Sequence, residues 1–187
     1  MKLIRIPLFV LAGLAALPVA RGADVYKIDP SHTTVSFTIG HMMISEVGGR
    51  FNDIAGEVSL DNGAVTGAKA TIQAKSVDTA NEARDKHLRN PDFFNVEKFP
   101  TITFEGTKIE KDGDKTVIVG KFTMHGVTKD VRLPFTLKGP IKDMYQKDRL
   151  AVSTETTLNR IDYGVGTSGP GISDEVKIKI SAEAVKD

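Results

Sequence analysis

The chain of 187 residues contains no cysteine and no tryptophan. The first absence excludes a disulfide framework, thiolate chemistry and cysteine-bound metal at once. An excess of positive charge is also missing, since 25 basic residues stand against 24 acidic ones. Nucleic-acid binding therefore has no electrostatic footprint. The apolar run from Ile6 to Ala20 is 15 residues long and interrupted by Pro7 and Pro18. That is short of the roughly 20 residues a spanning helix requires, so no membrane span is expected.

That run instead has the form of an address. Lys2 and Arg5 give a positive start, and Ala20-Arg21-Gly22 puts small residues three and one before a cut ahead of Ala23. The pattern predicts a signal peptide over residues 1–22, cleaved between Gly22 and Ala23. Losing Lys2, Arg5 and Arg21 with no acid turns the formal charge of +1 into −2. Export combined with the lack of cysteine fits a bacterial periplasm. The remaining residues, 23–187, suit one domain with a sizeable core.

From Asp24 onward the apolar pattern has period two. Val35, Phe37 and Ile39 alternate with Ser36 and Thr38; Ile54, Val58 and Leu60 flank Glu57 and Ser59; Ala68, Ala70, Ile72 and Ala74 alternate with Lys69, Thr71 and Gln73. Ile102 and Phe104, Val117 and Val119, Val131 to Leu137, and Val176, Ile178 and Ile180 continue it. Such alternation predicts about eight half-buried antiparallel strands. Asp61-Asn62-Gly63 and Lys111-Asp112-Gly113-Asp114 read as tight connections. With no strand–helix alternation, the fold is all-β, a sandwich or a closed barrel. Two segments break the rhythm. His41 to Gly49 carries Met42, Met43, Ile44 and Val47 at helical spacing and predicts a short helix. Thr79-Ala80-Asn81-Glu82 has the form of a capping box opening a helix that runs to Arg89, where Asn90-Pro91 stops it.

Gly164-Val165-Gly166-Thr167-Ser168-Gly169 matches a dinucleotide fingerprint letter for letter. The fingerprint needs a following helix, and Pro170-Gly171 and an alternating strand come instead, so a flexible rim loop is expected. His32, His41, His87 and His125 form no metal-ligand spacing, and no serine sits in a nucleophile elbow, so neither a metal site nor a catalytic residue is assigned. The densest charge cluster is Arg84-Asp85-Lys86-His87-Leu88-Arg89. It reads either as a solvated helix face or as a polar mouth, with Arg84, His87 and Arg89 placed to meet an anionic head group. Of the adjacent Phe93 and Phe94, one is expected to plug the barrel end and one to line it.

These residues carry a family resemblance. Asp29-Pro30-Ser31-His32 with Val35-Ser36-Phe37 and His41 resembles the opening signature of the YceI-like family of secreted lipid-binding proteins. Ser76-Val77-Asp78-Thr79, Arg84-Asp85-Lys86-His87-Leu88 and Asp92-Phe93-Phe94-Asn95 are similar to its central motif. Phe99-Pro100-Thr101-Ile102-Thr103-Phe104, Thr123-Met124-His125-Gly126-Val127-Thr128-Lys129, Asn159-Arg160 with Asp162-Tyr163-Gly164, and Ile172-Ser173-Asp174-Glu175-Val176 continue the match in order, from about Asp24 to Val185.

The resemblance implies an extended lipocalin-like antiparallel barrel around a polyisoprenoid chain, either an isoprenoid quinone or a precursor. It further implies a periplasmic protein of a family whose members are often dimeric, so a homodimer is an expected partner form, with no catalytic residue and no cofactor to carry over. An eight-stranded barrel has room for one small ligand or a filled core. The expected apolar lining is Val35, Phe37, Ile39, Ile72, Ala74, Phe104, Val117, Val119, Ile178 and Ile180, with Ala68 and Ala70 beside them. A sandwich would close the same residues into an ordinary core. Two other functional classes compete: a periplasmic hydrolase using His87 with Asp85 or Asp92, and an interaction module pairing through an exposed strand edge.

Overall fold

The computed structural model describes residues 22–186, so the predicted leader lies outside the described residues except for Gly22. Ten strands follow in order: β1 (Asp24–His41), β2 (Ser45–Phe51), β3 (Ile54–Asp61), β4 (Ala64–Gln73), β5 (Val77–Asp78), β6 (Thr101–Asp112), β7 (Lys115–Met124), β8 (Val127–Lys142), β9 (Asp148–Asn159) and β10 (Ile172–Lys186). One helix, α1 (Glu82–Arg89), lies between β5 and β6. Among the described residues no helix is long and apolar enough to cross a membrane.

The strands β1, β3, β4, β6, β7, β8, β9 and β10 pair antiparallel in that order, and β10 returns to β1. The result is a closed eight-stranded barrel, as the resemblance implies; alternation alone fits a sandwich equally well. Closure leaves no free edge around the ring. β1 is long enough to change partners. Its first residues pair with β3, from Asp24↔Leu60 to Lys27↔Glu57, and its second half pairs with β2, from Val35↔Phe51 to His41↔Ser45. β2 and the two-residue β5 thus extend the wall past the ring at one end. The Asn62-Gly63 turn has positive φ at both residues (49° and 80°), which is the geometry that short hairpins need.

Two local expectations are corrected. His41 to Gly49 is not a helix. It is a turn over residues 42–44 followed by β2, because pairing with β1 overrides the helical spacing of Met42, Met43, Ile44 and Val47. Helix α1 is capped by Asn81, whose side chain accepts a hydrogen bond from the Arg84 N–H at 3.0 Å. Thr79 lies outside the helix and is engaged elsewhere. The stop at Asn90 is where the sequence places it.

Candidate functional site

Along the β1–β10 ladder Val35 faces Ile180, Phe37 faces Ile178 and Ile39 faces Val176. Paired residues share a face, and this face points into the barrel. At this end the interior is hollow: a cavity of about 330 Å³ lies between these six side chains, Ile72 and Ile102 from β4 and β6, and Phe122 and Met124 from β7. That volume falls within the roughly 300–1,000 Å³ typical of small-molecule sites. Phe51, Phe93 and Phe94 complete the wall, so both phenylalanines of the pair line the cavity and both pack on the core. Phe37 packs against Phe51 at a tilt with ring centroids 5.7 Å apart, and Phe51 meets Phe94 edge-on at 5.6 Å. The Phe37 ring lies across Gly49, where an added Cβ would come within 2.3 Å of it.

Ala74, Phe104, Val117 and Val119 stand away from the cavity. Ala74 is buried in the short 3₁₀ turn Ala74–Ser76. Phe104 shares the inward face with Ile102 but sits deeper, beside Gly106 and Ile118. Val117 and Val119 have the opposite parity on β7 from Ile118, Phe122 and Met124.

The rim is polar and hydrogen-bonded. Arg84, His87 and Thr79 line the cavity mouth. Arg84 donates from Nε to Thr79 Oγ1 at 2.8 Å and from Nη2 to the Thr79 carbonyl at 2.9 Å. Asp85 is buried and accepts from the Thr79 hydroxyl at 2.5 Å and its N–H at 2.9 Å. Of the two acids weighed as partners for His87, it is Asp92 that lies 2.5 Å from Nε2, with both side chains 58% exposed. Arg89 turns away from the cavity and donates to the carbonyls of Lys75 and Val77 at 2.8 and 2.9 Å. Asp78 anchors this corner. Hydrogen bonds from the Ala80 N–H, Asn52 and Arg50 hold its carboxyl down at about 2.

Arg160 is a site residue that sequence reasoning passed over. It is 5% exposed, lines the cavity, and donates to the carbonyls of Val165 (2.8 Å), Thr167 (2.9 Å) and Ser173 (2.9 Å). The Gly164–Gly169 loop is therefore pinned rather than free. Gly166, at φ 72°, passes so close that an added Cβ would lie 2.7 Å from the Arg160 guanidinium. The only signal available beforehand was the Asn159-Arg160 element of the family resemblance, which gives no role for the arginine.

Fold and site together define a closed antiparallel β-barrel that is hollow and apolar at one end, with a charged rim. Residues 26–184 match the YceI-like domain, and the chain belongs to that family. It is 37% identical over 182 residues to the protein YceI of Salmonella newport, covering 95% of each chain. A UPF0312 protein of Pseudomonas aeruginosa is 39% identical over 171 residues, 89% of each. The YCEI crystal structure from Campylobacter jejuni superposes with a TM-score of 0.71 at 33% identity, over 79% of this chain and 90% of that one. A polyisoprenoid binding domain from Saccharophagus degradans shares the fold, with a TM-score of 0.66 at 16% identity over 87% and 98% of the two chains.

Proposed function

We propose that this protein is a non-catalytic carrier that holds one polyisoprenoid lipid in the barrel, with the tail against the inner face of β1 and β10 and the polar head at Arg84 and His87. The observation that carries the reading is the cavity itself. Phe37, Ile39, Val176 and Ile178 point inward yet stay half-buried around unfilled space. Apolar walls of that kind gain stability when a hydrocarbon occupies them, in proportion to the area removed from water. The solved Saccharophagus degradans relative, a polyisoprenoid binding domain with the same fold, supports this ligand class. Isoprenoid quinones and their precursors both fit a long apolar tail with a compact head. Periplasmic carriage follows from the leader-like start of the sequence, and a homodimer is compatible with this role.

A binding protein is preferred to a hydrolase because the cavity is walled by apolar side chains, the His87–Asp92 pair stands 58% exposed at the rim, and Asp85 is committed to Thr79. Native mass spectrometry of the purified protein, followed by solvent extraction, tests the reading. A co-purifying isoprenoid is expected. Protein that emerges without lipid and takes up no isoprenoid supplied in detergent would overturn it.

A further inference from the structure

Three apolar side chains stand in water at the mouth of the cavity. Met42, Met43 and Ile44 form the β1–β2 turn and are 57%, 91% and 88% exposed. Their neighbours His41 and Ile172 line the cavity. The turn is closed by the Ile44 N–H donating to the His41 carbonyl at 3.2 Å and fixed to the facing loop by the Met42 N–H donating to the Gly171 carbonyl at 3.0 Å. Met42 and Met43 have φ of 53° and 59°. Two positive φ values in a row suit Asn-Gly, and methionine adopts them only against its own preference. The backbone thus gives no reason for apolar residues at this tip, and solvent gives a reason against them.

The surroundings point to what they meet. The loop Gly164–Ser173 contains no charged residue, and Gly40–Ser45 contains none apart from the titratable His41. The next acid, Glu46, is neutralised by Lys177 at 2.8 Å. On the side of this turn and its facing loop the open end is therefore apolar and uncharged, while α1 carries the charged rim of Arg84 and His87 on the rest of the mouth. A comparable set of exposed side chains at the opposite end, Met144 and Tyr145, is interleaved with Lys142, Asp143, Lys147 and Asp148. Ionic groups resist entry into a low-dielectric layer, whereas this uncharged turn and loop do not. A single turn also falls well short of the about 800 Å² per partner of a stable protein interface.

We infer that the Met42–Ile44 turn docks the open end of the barrel on a lipid bilayer, so that a lipid passes between membrane and cavity without crossing water. What passes rests on the proposed function; the docking does not. The test is flotation of the purified protein with vesicles of phosphatidylethanolamine and phosphatidylglycerol, comparing Met43→Asp/Ile44→Asp with Met144→Asp/Tyr145→Asp. Aspartate tolerates the φ at position 43 and both sites are exposed, so both variants should keep the wild-type circular dichroism spectrum. Wild type and the Met144/Tyr145 variant should float alike, and the Met43/Ile44 variant should lose about tenfold in bound fraction. A tip variant that floats like wild type, or wild type that stays at the bottom, would overturn the inference. So would a wild-type dimer that the tip variant converts to monomer while neither floats, since the turn would then meet a second copy. Uptake of a fluorescent isoprenoid from detergent is measured alongside and should be equal in all three proteins. Wild type that floats but takes up no probe would support docking while removing the cavity reading.

Discussion

At one end of the barrel Tyr26, Leu60, Leu150 and Ala184 are no more than 3% exposed, whereas at the other Phe37, Ile39, Val176 and Ile178 remain half-buried around a cavity. Both sets lie on the inner face, and β1 and β10 run through both. At the closed end Tyr26, Val58, Leu60 and Leu150 converge with Val65, Leu137 and Val152 until the space is filled. An ionic clamp sits outside it, where Arg149 bonds Asp29 and Glu183 at 2.9 Å each. Hydrogen bonds from Ser31, Arg149 and His32 hold the Asp29 carboxyl well below the usual carboxylate range. At the open end the wall bulges out through β2 and β5, and α1 with Phe93 and Phe94 closes it only in part. Alternation decides which way a side chain points. Whether the opposite wall reaches it decides if it becomes core or lining.

The closed end should be the more sensitive of the two. Leu60→Ala removes a buried side chain from a filled region and should cost about 2–5 kcal/mol in urea denaturation. A loss below about 1 kcal/mol would mean this end is also hollow. The rim offers a smaller contrast between two arginines of one helix. Arg84→Ala should weaken binding of a pyrophosphate-headed isoprenoid about tenfold more than binding of a neutral quinone, a difference of about 1.4 kcal/mol. Arg89→Ala breaks two bonds to backbone carbonyls and should lower the melting temperature, by about 1 kcal/mol in stability, without changing that ratio. Ratios altered equally by both substitutions would remove the distinction between rim and scaffold.

Closure into a barrel came from the family resemblance, since alternation fits a sandwich equally well. The strands themselves were legible because a half-buried strand writes its two faces as alternate residues. The direction of Val35, Phe37, Ile39, Ile178 and Ile180 followed from that. β7 was harder: its inward face includes Gly120, which has no side chain because a Cβ would come within 2.3 Å of the Glu105 carbonyl. Val117 and Val119 consequently look more like lining than Ile118 does. The turn at Met42 read as helix because apolar spacing carries no information about φ. Arg160 was hidden for another reason. A lone arginine in the sequence does not announce that the glycine-rich loop a few residues on will wrap its guanidinium in carbonyls.

The most direct test of a hollow end is Ile178→Trp, with Lys177→Trp as its neighbour on the outer face, where Lys177 bonds Glu46. A larger side chain at 178 should occupy the space a lipid tail needs, so bound isoprenoid should disappear while the β-sheet circular dichroism spectrum and melting temperature stay near wild type. Lys177→Trp should leave lipid content unchanged. If position 178 were instead packed core, overfilling it would cost about 1–3 kcal/mol or more. A sharp fall in melting temperature, or undiminished lipid in Ile178→Trp, would contradict the account.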